Sequence, residues 1–164
     1  MSLEYTLGID PGLSGALALV HKTTQALITY SMPTQTLKGK TVLDPVALAS
    51  WIDVHSHLIS HAYVEVVTSR PRQAGQLNMG VNAGVMHGIL YANCIRFTQV
   101  SPSAWKAWYG LKRDESETYR DAKNHSRALA VEMFPQYAKA FARVKDDGVA
   151  EASLIALYGL NQGK

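Results

Sequence analysis

The chain has 164 residues, 47% of them hydrophobic and 18% charged, with a single cysteine, Cys94. That length supports a core of its own; it contains no apolar run near the roughly 18 residues of a membrane span, and one cysteine excludes an internal disulfide and a multi-cysteine zinc site. The formal charge is +3, but residues 96–145 hold ten Lys/Arg against five acids, which leaves the remainder slightly acidic and points to a basic half facing a polyanion. The start Met1-Ser2-Leu3-Glu4 lacks the basic and apolar segments of a signal peptide, so the expectation is a soluble, cytoplasmic protein with no membrane partner.

Residues 4–9 and 16–20 read as strands joined by the turn Asp10-Pro11-Gly12-Leu13-Ser14-Gly15, and residues 26–31 as a third strand ended by Pro33. Three short strands in succession predict an antiparallel meander. Asp44-Pro45 then opens a helix, with Asp44 as N-cap and Leu48, Trp51, Ile52 and Ile59 on its buried face. Residues 63–67 form a nearly continuous apolar run, the pattern of a strand buried on both faces. A loop over 69–75 leads to a helix over 77–92 and a strand over 95–100. Three more helices follow, over 103–111, 115–134 and 147–160. A meander succeeded by alternating helices and strands predicts a single α/β domain over 1–164, its mixed sheet flanked by helices.

Three carboxylate positions break these patterns. Asp10 ends the first strand at a Gly-rich turn, where turn chemistry alone is one reading. Glu65 lies between Val64 and Val66 in an apolar strand, where an ionised carboxylate is costly unless the strand lies at an edge. Glu151 begins an apolar stripe with Leu154, Ile155 and Tyr158, and Asp147 heads the same stripe; capping and a rim position are the structural alternatives. Carboxylates gathered in one site raise one another's pKa unless cations neutralise them. Mg²⁺ favours such oxygen ligands, and two ions about 4 Å apart can activate water and stabilise the leaving oxygen of a phosphodiester. With a basic surface to hold a polyanion, the pattern leans toward metal-dependent nucleic-acid hydrolysis.

Arg120, Lys123 and Arg127 are neighbours on one helix and are candidates to grip phosphates; pairing of that face with Glu117 and Asp121 is the alternative. Lys145 directly precedes the acidic pair Asp146-Asp147, and Arg70 and Arg72 follow Glu65 in a loop; with Lys106, Lys112 and Arg113 they complete the candidate DNA-binding set. Gly80, Gly84 and Gly88 recur every four residues, a costly pattern in a helix that implies close packing. Met79 and Met86 would suit an interface there. His57 and His61 have helical i, i+4 spacing but no third ligand for zinc. Trp105 and Trp108 are expected in the core or at its rim.

Taken in order, Gly8-Ile9-Asp10-Pro11-Gly12, Val64-Glu65 with Arg70-Pro71-Arg72-Gln73, Val100-Ser101-Pro102-Ser103-Ala104-Trp105-Lys106, and Asp147-Gly148-Val149-Ala150-Glu151 resemble the blocks of RuvC-type Holliday junction resolvases, most closely their phage and viral branch. The resemblance covers nearly the whole chain. It implies an RNase H-like fold with a five-stranded mixed sheet and a homodimer acting on four-way DNA junctions, with forks, flaps and other branched DNA as further substrates open to the phage-type branch. Mg²⁺, or Mn²⁺ in its place, would be held by Asp10, Glu65, Asp147 and Glu151, and the paired symmetric nicks would leave 5′-phosphates. Bacterial members place the last two acids three apart, both as Asp. Here Gly148 stands three before Glu151 and Asp147 four before it, with Asp146 adjacent; a spacing of four keeps both acids on one helical face. A non-catalytic junction-binding protein and an actin- or sugar-kinase-like nucleotide binder are the alternatives.

Overall fold

The computed structural model describes residues 3–67, 76–111 and 118–162. Strands β1 (Tyr5–Asp10), β2 (Ala16–His21) and β3 (Leu27–Ser31) form the expected antiparallel meander. Strands β6 (Ile59–Glu65) and β7 (Phe97–Val100) then add in parallel on the other side of β1, giving a five-stranded sheet in the order β3-β2-β1-β6-β7. This is the mixed sheet of an RNase H-like fold.

Between β3 and the first helix the chain makes a separate hairpin of β4 (Thr34–Leu37) and β5 (Lys40–Leu43), which sequence patterning did not reveal. Its residues are almost all exposed, so no apolar alternation marks it. The turn is made by Lys38 and Gly39, both at positive φ. Helix α1 (Pro45–His55) starts as expected, with the Asp44 carboxylate accepting from the Val46 and Ala47 N–H groups. Ile59, expected on the face of that helix, instead begins β6: the helix stops at His55, and a single 3-10 turn leads into a strand that starts four residues before the apolar run.

Helix α2 (Gln76–Ala92) leads into β7, followed by α3 (Pro102–Trp108), α4 (Tyr119–Met133) and α5 (Asp147–Gln162). Ser101 caps α3, and Thr118 and Asp121 form a reciprocal capping box at the start of α4, later than the expected residue 115, which lies outside the described residues. Short 3-10 segments at Pro135–Phe141 and Val144–Asp146 join α4 to α5.

Strand alternation sorts the sheet's two faces. Leu7, Ile9, Leu17, Leu19, Ala62 and Val64 pack in one core cluster with Leu48 and Ile52 of α1 and Met86 and Leu90 of α2. Ala16, Ala18 and Val20 of β2 turn to the other face, against α5 and the rings of Trp105, Phe134 and Phe141. Leucines line one face and alanines the other, and this difference lets α5 lie close to the sheet. The helix is buried from Gly148 through Leu157, as a helix that is apolar on all sides must be. Among the described residues, no helix is long and apolar enough to cross a membrane.

Candidate active site

The same alternation aims the acids. Leu7 and Ile9 point toward α1 and α2, so Gly8 and Asp10 point toward α5. In β6, Ala62 and Val64 take the α1/α2 side, which turns Tyr63 and Glu65 to the α5 side. Ile9 pairs with Val64 in the parallel ladder, and one step further the strands end at Asp10 and Glu65, side by side. Helix α5 brings the other two acids. Gly8 lies under it so closely that a Cβ there would overlap the Ala152 carbonyl and the Ala156 backbone. Gly148 sits against the β1–β2 turn, where a Cβ would overlap the Ser14 carbonyl oxygen and lie 2.6 Å from Gly15 Cα. Asp147 precedes that contact by one residue, and Glu151 follows it by almost one turn.

The four carboxylates thus gather at the carboxyl ends of two parallel strands, where α/β folds commonly place their sites. Asp10 accepts from the Gly12 N–H at 3.1 Å. Glu65 accepts from the buried Trp105 Nε1 at 2.6 Å. Lys106 Nζ bonds to Glu151 Oε1 at 3.1 Å, and Lys123 pairs with Asp147 and lies 4.0 Å from Glu151 Oε2. Ser126 Oγ lies 3.4 Å from Glu151 Oε1. Burial above all, then the negative charge of Glu151, pushes Asp10 up to about 6; the Gly12 N–H and the Lys123 ammonium offset part of this, and Asp147 adds to the rise. Glu65 is pushed up to about 7 by burial, against the lowering effect of the Trp105 hydrogen bond. Asp10 and Glu151 raise it further and Lys106 lowers it.

All four sequence-selected acids therefore fall in one cluster, and Asp146 does not join them. Its carboxylate is buried in a bidentate pair with Arg143 (2.9 Å from Nη2, 3.0 Å from Nε), which holds it below the usual carboxylate range. Among the described residues, no three His, Cys, Asp or Glu side chains meet at a common ligation point. The expected ligands are arranged instead around the two lysine ammonium groups, which offset the repulsion. As a donor set, four carboxylates with no imidazole or thiolate fit a hard, oxygen-seeking divalent cation.

The basic candidates divide. Lys106 and Lys123 are inside the cluster, where Lys123 pairs with Asp147 and lies near Glu151; Glu117, one of its expected partners, lies outside the described residues. Arg120 and Lys145 are exposed, and Arg127 turns to Asn124 and the Ala142 carbonyl. Arg70, Arg72, Lys112 and Arg113 lie outside the described residues. His61 bonds to Thr98 Oγ1 at 2.9 Å, while His57 is exposed; the first lies in β6 and the second in the 3-10 turn before it, so the two do not share the helical spacing expected from the sequence. Met86 is in the core, not at an interface. Among the described residues, nothing lies within 4 Å of a Cβ placed at Gly80, Gly84 or Gly88. Sequence reasoning placed Trp105 in the core or its rim, with base stacking as the alternative, and did not connect it to the acids; the usable signal was that a buried indole N–H requires an acceptor.

Comparison of the sequence with protein-family models and with curated proteins finds no match. Solved structures do match. A Thermus thermophilus RuvC structure is 16% identical, covers 97% of this chain and 96% of its own, and has a TM-score of 0.56. T. thermophilus RuvC in complex with Holliday junction substrate is also 16% identical, with coverage of 98% and 97% and a TM-score of 0.59. The chain has the RuvC fold. The likeness covers 97–98% of this chain, and therefore nearly all of the fold that positions the acid cluster.

The raised carboxylates set a direction for stability. A folded-state pKa above the unfolded value means that these two groups bind more protons in the native protein, so their contribution to stability falls as pH rises from about 4 through 7. In EDTA, Glu65→Gln should be more stable than wild type at about pH 8, by on the order of 2 kcal/mol, and the gain should vanish near pH 4. Urea denaturation at the two pH values checks this; a variant less stable at the higher pH would contradict the burial argument.

Proposed function

We propose that the protein is a structure-selective, divalent-metal-dependent endonuclease that resolves four-way DNA junctions, with Asp10, Glu65, Asp147 and Glu151 as metal ligands. The observation that carries this reading is the convergence of four carboxylates from β1, β6 and α5 at one end of a RuvC-fold sheet. The T. thermophilus RuvC seen with a Holliday junction substrate supports the choice of branched DNA over linear DNA.

Mg²⁺ or Mn²⁺, when bound, would supply an activated water and neutralise the leaving oxygen, giving a 5′-phosphate product. The chain supplies the rest. Asp10 and Glu65 sit on rigid strand ends, so the backbone from which each carboxylate extends is fixed. Lys106 and Lys123 keep the cluster charged, and their flexible stems allow the ammonium groups to turn to a phosphate oxygen. Arg120, Arg127 and Lys145, with Arg70, Arg72, Lys112 and Arg113, would grip backbone phosphates and fix the register of the DNA without reading sequence.

Junction resolution needs two sites, and α2 offers a surface for pairing two copies. The helix has no Asp, Glu, Lys or Arg. Leu77, Val81 and Tyr91 are 80%, 55% and 70% exposed on the face that carries the three open glycines. An apolar stripe this continuous, with small residues that admit a second backbone, suits a self-complementary contact between homodimer subunits. Val81→Glu should convert the dimer to a monomer in analytical ultracentrifugation; a monomeric wild type would remove the homodimer.

The direct test is cleavage of an end-labelled immobile four-way junction in Mg²⁺ or Mn²⁺, beside linear duplex and single strand. Paired symmetric nicks are expected on the junction alone, with Asp10→Asn slower by about a thousandfold, the several kcal/mol that such a charge cluster contributes. Tight junction binding without cleavage would favour a non-catalytic junction-binding protein.

A further inference from the structure

Trp105 has no exposed surface and belongs to the core cluster between α5 and the aromatic residues beyond α4. Its one polar atom leaves that core: Nε1–H donates to Glu65 Oε2 at 2.6 Å, across 40 residues of sequence. The next residue, Lys106, places Nζ 5.0 Å from the Trp105 ring centroid and bonds to Glu151. Two successive side chains of α3 therefore act on two of the four acids. The indole differs from the lysine in one respect: it is packed on all sides and cannot turn without disturbing the core.

We propose that Trp105 is the positioning residue of Glu65, holding the carboxylate in one rotamer and one plane for cation ligation. The inference rests on the metal-dependent reading above and extends it to a residue that touches neither cation nor DNA. A neutral donor suits the task. It orients the acid without adding a positive charge that would compete with a cation. Partners that orient a ligand from behind commonly account for 10–100-fold in metal affinity or activity.

The test removes the N–H and keeps the shape. In the full chain, residue 105 is replaced by β-(3-benzothienyl)alanine, in which sulfur stands for the indole N–H; Trp105→Phe is compared as the variant that also loses packing. Mn²⁺ affinity is read by electron paramagnetic resonance without DNA, alongside Tm and the separate kcat and KM for junction nicking. The isosteric replacement is expected to keep its Tm and its KM, while Mn²⁺ affinity and kcat each fall by about tenfold. Wild-type Mn²⁺ affinity in that variant would overturn the proposal, as would a loss seen only in Trp105→Phe and in step with its Tm. If the wild-type chain binds Mn²⁺ but does not nick, the nuclease reading fails and the Mn²⁺ comparison still decides the role of Trp105. A wild-type chain that binds no Mn²⁺ overturns both.

Discussion

The contact of α5 with the β1–β2 hairpin is the constraint on which the rest of the structure depends. Gly8 and Gly148 are the two points where helix backbone meets strand or turn backbone with no side chain between them. The alanines of β2 extend the same narrow gap along the sheet. Asp10 stands two residues beyond Gly8 on the same face of β1, and Asp147 and Glu151 bracket Gly148 on α5. The distance between acids from opposite ends of the chain is therefore set by how closely two backbones approach. No long side chain intervenes whose rotamers could relax it.

That closeness has an electrostatic cost. Four carboxylates are brought together at a partly dehydrated edge of the core, and burial raises two of them well above the usual range. Three kinds of group limit the repulsion: the Gly12 N–H, the Trp105 N–H, and the ammonium groups of Lys106 and Lys123. None is part of the sheet ladder, and each comes from an element that packs around the strand ends. Where Arg143 neutralises Asp146 fully, that acid is withdrawn from the cluster. A site kept incompletely neutralised is disposed to take up cations, and this is the physical link between the fold and the proposed chemistry.

Much of this was legible in the sequence, because the acids interrupt strong periodic signals. Glu65 within an apolar strand and Glu151 at the head of an apolar helical stripe are conflicts between local pattern and residue type, and such conflicts mark functional positions. The strands and helices around them were found within a few residues. The β4–β5 hairpin was not, because it buries little and so carries no alternation. Ile59 was assigned to α1 because an apolar residue at helical spacing does not disclose where the helix ends. For the glycines of α2, a dimer interface and a contact with the sheet both stayed open, because sequence spacing identifies a face but not what the face meets. Lys106, Lys123 and Trp105 owe their roles to contacts spanning up to 45 residues of chain, which no local window contains.

The most direct measurement is the junction-nicking rate of Gly148→Ala, taken well below its Tm with its circular dichroism matched to wild type. The added methyl must displace the first turn of α5 from Ser14 and Gly15 while leaving every carboxylate in the sequence. A shift of about 1 Å in a catalytic group can cost a hundredfold in rate, and a loss of about that size in a folded variant is the predicted result. A folded Gly148→Ala protein that nicks junctions at the wild-type rate would contradict the claim that this backbone contact assembles the site.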